Sequence, residues 1–232
     1  MYDQNNTKLF IDYFIKIENE LGKYLDNHQK TDNYVDFSKK LSVARGKSAK
    51  INNYFDSLKE FASMRNFFSH SPKRALAIPS EETIKEIKQI YENITNAKTA
   101  MDIANRNVIR FSTSDNLFVV LKTIREKKYS QFPVYNSNKE FEGLLTENGI
   151  TQWLSEKIED DIISIEETFL NEILNKDEKK KNYAFINREA DIFDIQDMFK
   201  KTNTEALFVT HSGNKQQNIL GIITAWDITM IG

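Results

Sequence analysis

Two stretches of the chain, Gly143-Leu144-Leu145-Thr146-Glu147-Asn148-Gly149-Ile150 and Gly221-Ile222-Ile223-Thr224-Ala225-Trp226-Asp227-Ile228, follow one pattern of residue types in one order. The match extends upstream. Phe111 corresponds to Ile186 and Phe132 to Leu207 at an offset of 75, and Gly143 to Gly221 at 78, the extra residues falling in the turn at 211–218. Self-similarity of this kind constrains the fold more than any local propensity, because each copy is one supersecondary unit that buries its apolar face against its neighbour.

Hydrophobic periodicity gives the content of each copy. In the first, residues 108–111 form a strand and 115–127 a helix with Leu117, Val120, Leu121 and Ile124 inward. Residues 132–135 and 143–145 form two further strands around an Asn-Ser-Asn-Lys turn at 136–139, and a helix opens at Thr146 through Ile150, Trp153 and Leu154. The second copy repeats this order: a strand at 183–186, a helix at 194–200, and strands at 206–209 and 221–224. Each unit is thus β-α-β-β-α. Between the copies, residues 161–181 are acidic and then basic, with enough apolar side chains (Ile163, Ile165, Phe169, Ile173, Leu174) for one linking helix.

The first half has a different texture. Leu9, Phe10, Tyr13, Phe14, Ile17, Leu21, Tyr24 and Leu25 recur at three and four residues, the mark of an amphipathic helix of about five turns. Residues 27–33 are polar and predict a turn. A second periodic run extends from Tyr34 to Phe68, with Gly46 as its expected interruption, and stops before Ser71-Pro72. Ser80 caps a third helix lined by Ile84, Ile87, Ile90 and Ile94, expected to continue to Ala104. The fold class is therefore α+β and multidomain. A helical bundle over 1–104 precedes a tandem module over 105–232, with repeats at about 105–157 and 180–232 and the linking helix between them.

Composition narrows the chemistry. The absence of cysteine excludes disulfides, thiolate catalysis and Cys-based metal sites. The three histidines, His28, His70 and His211, have no metal-ligand spacing, and no metal is expected. No glycine-rich phosphate loop exists, which excludes P-loop and dinucleotide-binding folds. Residues 1–106 carry 17 basic and 14 acidic side chains and residues 107–232 carry 15 and 20, an asymmetry that tolerates nucleic acid near the first half without requiring it. Neither a signal peptide nor a long apolar run is visible, so no membrane association and a cytoplasmic location are expected.

The duplicated Gly-h-h-Thr element, where h is apolar, closely resembles a pair of CBS domains, which together form a Bateman module. The resemblance spans residues 105–232. It implies a pseudo-two-fold module whose clefts hold an adenine-containing ligand: AMP, ADP, ATP, a cyclic dinucleotide or S-adenosylmethionine. In that family the signature continues to an Asp three residues after the Thr, with the hydroxyl on phosphate and the carboxylate on the ribose. Thr224 and Asp227 match it. Thr224 lies where free N–H groups at a helix start favour an anion, and the Asp227 carboxylate can accept from a ribose diol. A plain capping box, Thr as cap and Asp at N3, accounts for the same two residues.

The other wall of that cleft is expected from Asn107, Val108, Tyr129, Ser130 and Gln131, with residues 102–106, Arg110, Lys127 and Lys128 nearby. The first copy has Thr146 but Gly149 at the acidic position. That leaves a weaker second cleft of Thr146, Ala184, Phe185 and Thr204, next to Glu205, a poor neighbour for phosphate.

In the first half, Arg65-Asn66-Phe67-Phe68-Ser69-His70 at the end of a helix resembles the motif of the HEPN superfamily, many of whose members are metal-independent ribonucleases. The resemblance covers residues 7–100. It implies Arg65 on phosphate, His70 as general acid or base and Asn66 as orienter, completed by a homodimer that brings two motifs to one cleft. A helix C-cap for His70 and a surface ion pair for Arg65 are the alternatives. The expected function is adenine-nucleotide sensing by the repeated module, controlling a helical domain that cleaves RNA. The alternative is a non-catalytic regulator whose helices are a dimerisation or partner-binding module, with RNA or a protein as candidate partner.

Overall fold

The structure, a computed structural model, describes residues 4–25, 35–70, 78–159, 162–174, 182–202 and 204–230. The turn expected at 27–33, the Ser71-Pro72 stop and the basic pair Lys73-Arg74 lie outside them. Contacts divide the chain into two units, Met1–Lys98 with Ile192–Asp197, and Thr99–Asp191 with Met198–Gly232.

The first unit contains five helices of the first half: α1 (Gln4–Gly22), α2 (Phe37–Lys47), α3 (Ala49–Asn53), α4 (Phe55–His70) and α5 (Glu81–Thr95). Among the described residues no strand precedes Phe111. The three- and four-residue spacing of Phe10, Phe14, Ile17 and Leu21 on α1 meets Leu58 and Phe61 of α4 and Ile87, Ile90 and Ile94 of α5 in one core. Phe10 is its centre, with edge-on rings of Phe61 at 5.7 Å and Phe68 at 5.6 Å.

Two expectations here are corrected. The long second run breaks at Ser48, not Gly46. Gly46 sits inside α2, whereas Ser48 leaves helical geometry at φ −145° and its hydroxyl accepts from the Ile51 N–H, capping α3. The third helix stops at Thr95 instead of Ala104. Asn96 caps α5, and a new short helix, α6 (Ala100–Ile103), begins after a Thr99/Asp102 capping box.

The second unit carries the repeat. One sheet has the order β1 (Phe111–Ser112), β2 (Gln131–Tyr135), β3 (Phe141–Thr146); the other has β4 (Tyr183–Asn187), β5 (Ala206–Thr210), β6 (Gly221–Thr224). In both, the first pair is parallel and the second antiparallel. The registers are duplicates: Phe111 pairs with Val134 as Ile186 does with Val209, and Gln131 with Thr146 as Ala206 does with Thr224. The helices are α7 (Leu117–Lys127), α8 (Glu147–Glu156), α9 (Leu170–Leu174) in the link, α10 (Ile192–Lys201) and α11 (Ala225–Thr229). Strand β1 is shorter than the expected 108–111, since pairing with β2 begins only at Phe111. Phe141, Leu144, Ala206, Phe208, Ile219 and Ile222 form a core shared by the two sheets.

Candidate functional site

In each repeat the last strand runs directly into a helix through a threonine. Thr146 is buried, and its hydroxyl accepts from the Gly149 N–H at 2.9 Å, an ordinary cap for α8. Thr224 caps α11 differently. Both its N–H and its hydroxyl donate to Oδ2 of Asp227, at 2.7 and 2.8 Å. The capping box foreseen as one reading of these residues is therefore present, and it leaves Oδ1 of Asp227 without a partner among the described residues.

Beside this junction lies a cavity of about 650 Å³. Three features bring its walls together. Asn105 and Ile222 exchange backbone hydrogen bonds of 2.9 and 3.0 Å, which fixes the start of the 105–109 segment beside β6. That approach needs Gly221, because a Cβ there would stand 2.7 Å from Cβ of Ala104. Lys128, left-handed at φ 59°, ends α7 and turns the chain into the segment before β2. Finally, the Gln131 side chain donates to the Glu205 carbonyl at 3.4 Å, joining corresponding segments of the two repeats.

The lining contains all seven residues expected around this cleft: Thr224, Asp227, Asn107, Val108, Tyr129, Ser130 and Gln131. It also contains Thr204 and Glu205, which sequence reasoning had assigned to the other cleft. Ala206 pairs with Thr224, so the residues just before β5 stand beside the start of α11. The remaining members of the second-cleft set do not line this cavity. Phe185 packs its ring against Phe141 at 5.2 Å and Phe208 at 5.5 Å, and Ala184 lies in β4 opposite Leu207. Tyr183 takes the place of Val108 in this copy; burial, then the Glu142 carboxylate, push its phenol above the ordinary value.

Trp226, which the motif reading passed over, also lines the cavity and is 71% exposed. Its signal was present as the largest apolar side chain between Thr224 and Asp227, but exposure is not written in the pattern. The charged residues of the lining are Asp227, Glu205 and Lys128. Arg110, a candidate for phosphate, instead donates to the carbonyls of Ile219 at 2.7 Å and Val108 at 3.4 Å.

Arg65, Asn66 and His70 all lie in α4. Arg65 donates to the Asn66 side chain at 3.3 Å. Positions five apart on an α-helix are about 140° apart around its axis, so 65 and 70 occupy different faces. Among the described residues no group of three or more His, Asp or Glu side chains could hold a metal ion, and no helix is long and apolar enough to cross a membrane.

The family model of the CBS domain matches residues 100–156 and 176–231. No curated protein matches the chain. Among solved structures, a conserved CBS domain protein of unknown function from Thermoplasma acidophilum is 17% identical over 58% of this chain and 68% of its own, with a TM-score of 0.46. The CBS domain pair of protein MJ0100, in complex with 5′-methylthioadenosine and S-adenosyl-L-methionine, is 15% identical over 58% of this chain and 95% of its own, with a TM-score of 0.46. The CBS domains of a transcriptional regulator from Streptococcus pneumoniae are 16% identical over 57% and 98%, with a TM-score of 0.43.

Proposed function

We propose, with residues 100–156 and 176–231 a pair of CBS domains, that this chain is a ligand-sensing regulator which takes an adenosine-containing molecule in the Thr224/Asp227 cavity. One observation carries the reading: residues singled out from two separate parts of the repeat, 107–108 and 129–131 on one side and Thr224 with Asp227 on the other, line a single cavity of about 650 Å³, within the range of small-molecule sites. Oδ1 of Asp227 accepts from the ribose diol. Val108, Ile109 and Tyr129 supply apolar wall for the base. Gly149 offers no carboxylate, so the chain binds one ligand.

For the helical first half, the reading that fits best is non-catalytic: a dimerisation or partner-binding module under control of the CBS pair, in a protein that works as a homodimer. Regulation then is a coupling free energy between cavity occupancy and the helical unit.

A thermal-shift series with adenosine, 5′-methylthioadenosine, AMP and ATP tests the proposal. A ligand at a hundred times its dissociation constant stabilises its folded target by about 2.7 kcal/mol. At least one of these compounds should raise the melting temperature, while guanosine and cytidine should not. No shift with any adenosine compound overturns the reading.

A further inference from the structure

We propose that the link between the two repeats is a docking surface for a basic segment of a partner protein that also carries apolar side chains. The link is held against the start of α7. The Phe118 N–H donates to the Ile165 carbonyl at 3.0 Å, the Leu117 N–H to that of Thr168 at 2.8 Å and the Leu170 N–H to that of Asp115 at 3.0 Å. The Asn116 side chain donates to the Glu166 carbonyl, also at 3.0 Å. On this frame some link residues turn inward: Leu170 and Ile173 are buried, and Ile163 packs on the same core.

The outward positions are not polar. Ile158 and Ile162 are 82% and 88% exposed, and Ile165, Phe169 and Phe118 are exposed as well. Five of the eleven exposed large apolar side chains among the described residues thus fall on the link and on the α7 residue bonded to it. Apolar residues scattered singly over a surface need no explanation, whereas a concentration of them marks a contact site.

Charge identifies the occupant. Glu159 follows Ile158, and Glu166 and Glu167 stand between Ile165 and Phe169; all three are exposed and form no ion pair among the described residues. Of the nearby bases, Lys157 is engaged within the chain, and Lys122 stands one turn along α7 from Phe118. Apolar side chains interleaved with such carboxylates fit a segment that offers apolar side chains together with lysine or arginine. A second copy meeting this surface about a two-fold axis would set carboxylates against carboxylates, and the phosphates of a nucleic acid or an anionic membrane would be repelled.

The probes are three fluorescently labelled synthetic peptides: one of leucine and lysine in helical amphipathic spacing, one with glutamate in place of each lysine, and one with serine in place of each leucine. Their binding to the whole protein is read by fluorescence anisotropy. The leucine–lysine peptide should bind about tenfold or more tighter than either control, the spread expected where charge and apolar contact both contribute. Ile158→Ser with Ile162→Ser should weaken it about tenfold or more and leave the melting temperature unchanged, since both side chains are exposed. Glu166→Lys with Glu167→Lys should reverse the order of the leucine–lysine and leucine–glutamate peptides. Equal binding of those two by wild type, or undiminished binding in the Ile158/Ile162 variant, overturns the proposal. So does a wild-type oligomer that the Ile158/Ile162 variant abolishes in analytical ultracentrifugation, because it would make a second copy the occupant.

Discussion

Replacing Gly221 by alanine tests how the cavity wall is built. The new Cβ would lie 2.7 Å from Cβ of Ala104 and 3.3 Å from the carbonyl oxygen of Asn105. Carbon atoms prefer a separation of about 3.5–4.0 Å, and both methyl carbons are fixed to main chain, so no rotamer relieves the contact. One strand must move by about 1 Å, at the expense of the paired hydrogen bonds between Asn105 and Ile222. Overpacking of this kind costs about 1–3 kcal/mol, offset by about 0.5–1 kcal/mol from removing a strand glycine. That leaves a net loss of about 0.5–2 kcal/mol, and at about 2–4 °C per kcal/mol the melting temperature should fall by about 1–8 °C. The corresponding Gly143→Ala is the internal control, because its Cβ would meet only the flexible end of Leu174 at 3.4 Å; its melting temperature should hold or rise. Ala104→Gly added to Gly221→Ala should restore most of the loss. Circular dichroism melts of the three proteins decide the matter. Equal melting of the two single variants, or no rescue by Ala104→Gly, refutes the close-approach argument.

Other perturbations probe the remaining parts of the structure. Phe10→Ala removes a ring that is wholly buried at the centre of the helical core and should cost about 3–5 kcal/mol in urea unfolding; a loss below about 1 kcal/mol would place the core elsewhere. The Tyr183 phenol is held above its ordinary value by burial and Glu142. Its contribution to stability is full below about pH 10, the unfolded value, and is lost as pH rises through the folded one, so urea midpoints should fall more steeply there for wild type than for Tyr183→Phe. Single-stranded RNA incubated with the protein in metal-free buffer, with or without adenosine, should stay intact; cleavage that disappears in His70→Ala would restore the shared-site ribonuclease.

The duplicated unit was legible because its most informative residues sit where backbone geometry leaves little choice. Gly221 must admit Ala104, and each threonine must end a strand and cap a helix. The 75-residue offset carries directly into the register, as the pairs Phe111–Val134 and Ile186–Val209 show. Periodicity was a poorer guide to where helices stop. Ala97, Ala100, Met101 and Ile103 continue the apolar spacing beyond Thr95, yet Thr99 and Asp102 form the same capping pattern as Thr224 and Asp227 and start a new helix. Gly46 drew attention as a breaker, but Ser48, a hydroxyl able to cap Ile51, was the stronger local signal. The placement of Thr204 and Glu205 was not legible, because it depends on the long-range pairing of Ala206 with Thr224. Strand β1 was overestimated for a related reason: Val108 and Ile109 pack against the cores and line the cavity without pairing as strand.

Titration of adenosine into wild type and Asp227→Ala by calorimetry is the most direct test of the ligand site. Wild type should show one site per chain. Loss of the ribose acceptor should weaken binding by about 1.5–3 kcal/mol, the range for a hydrogen bond to a charged group, or about 10- to 150-fold. Because Asp227 also caps α11, melting of both proteins is followed in parallel, so that weaker binding with the fold intact is attributed to the lost carboxylate. Thr146→Val, in the repeat that has Gly149, should bind as wild type does. Undiminished affinity in Asp227→Ala, or equal losses in Asp227→Ala and Thr146→Val, would contradict the assignment of the ligand to this cavity.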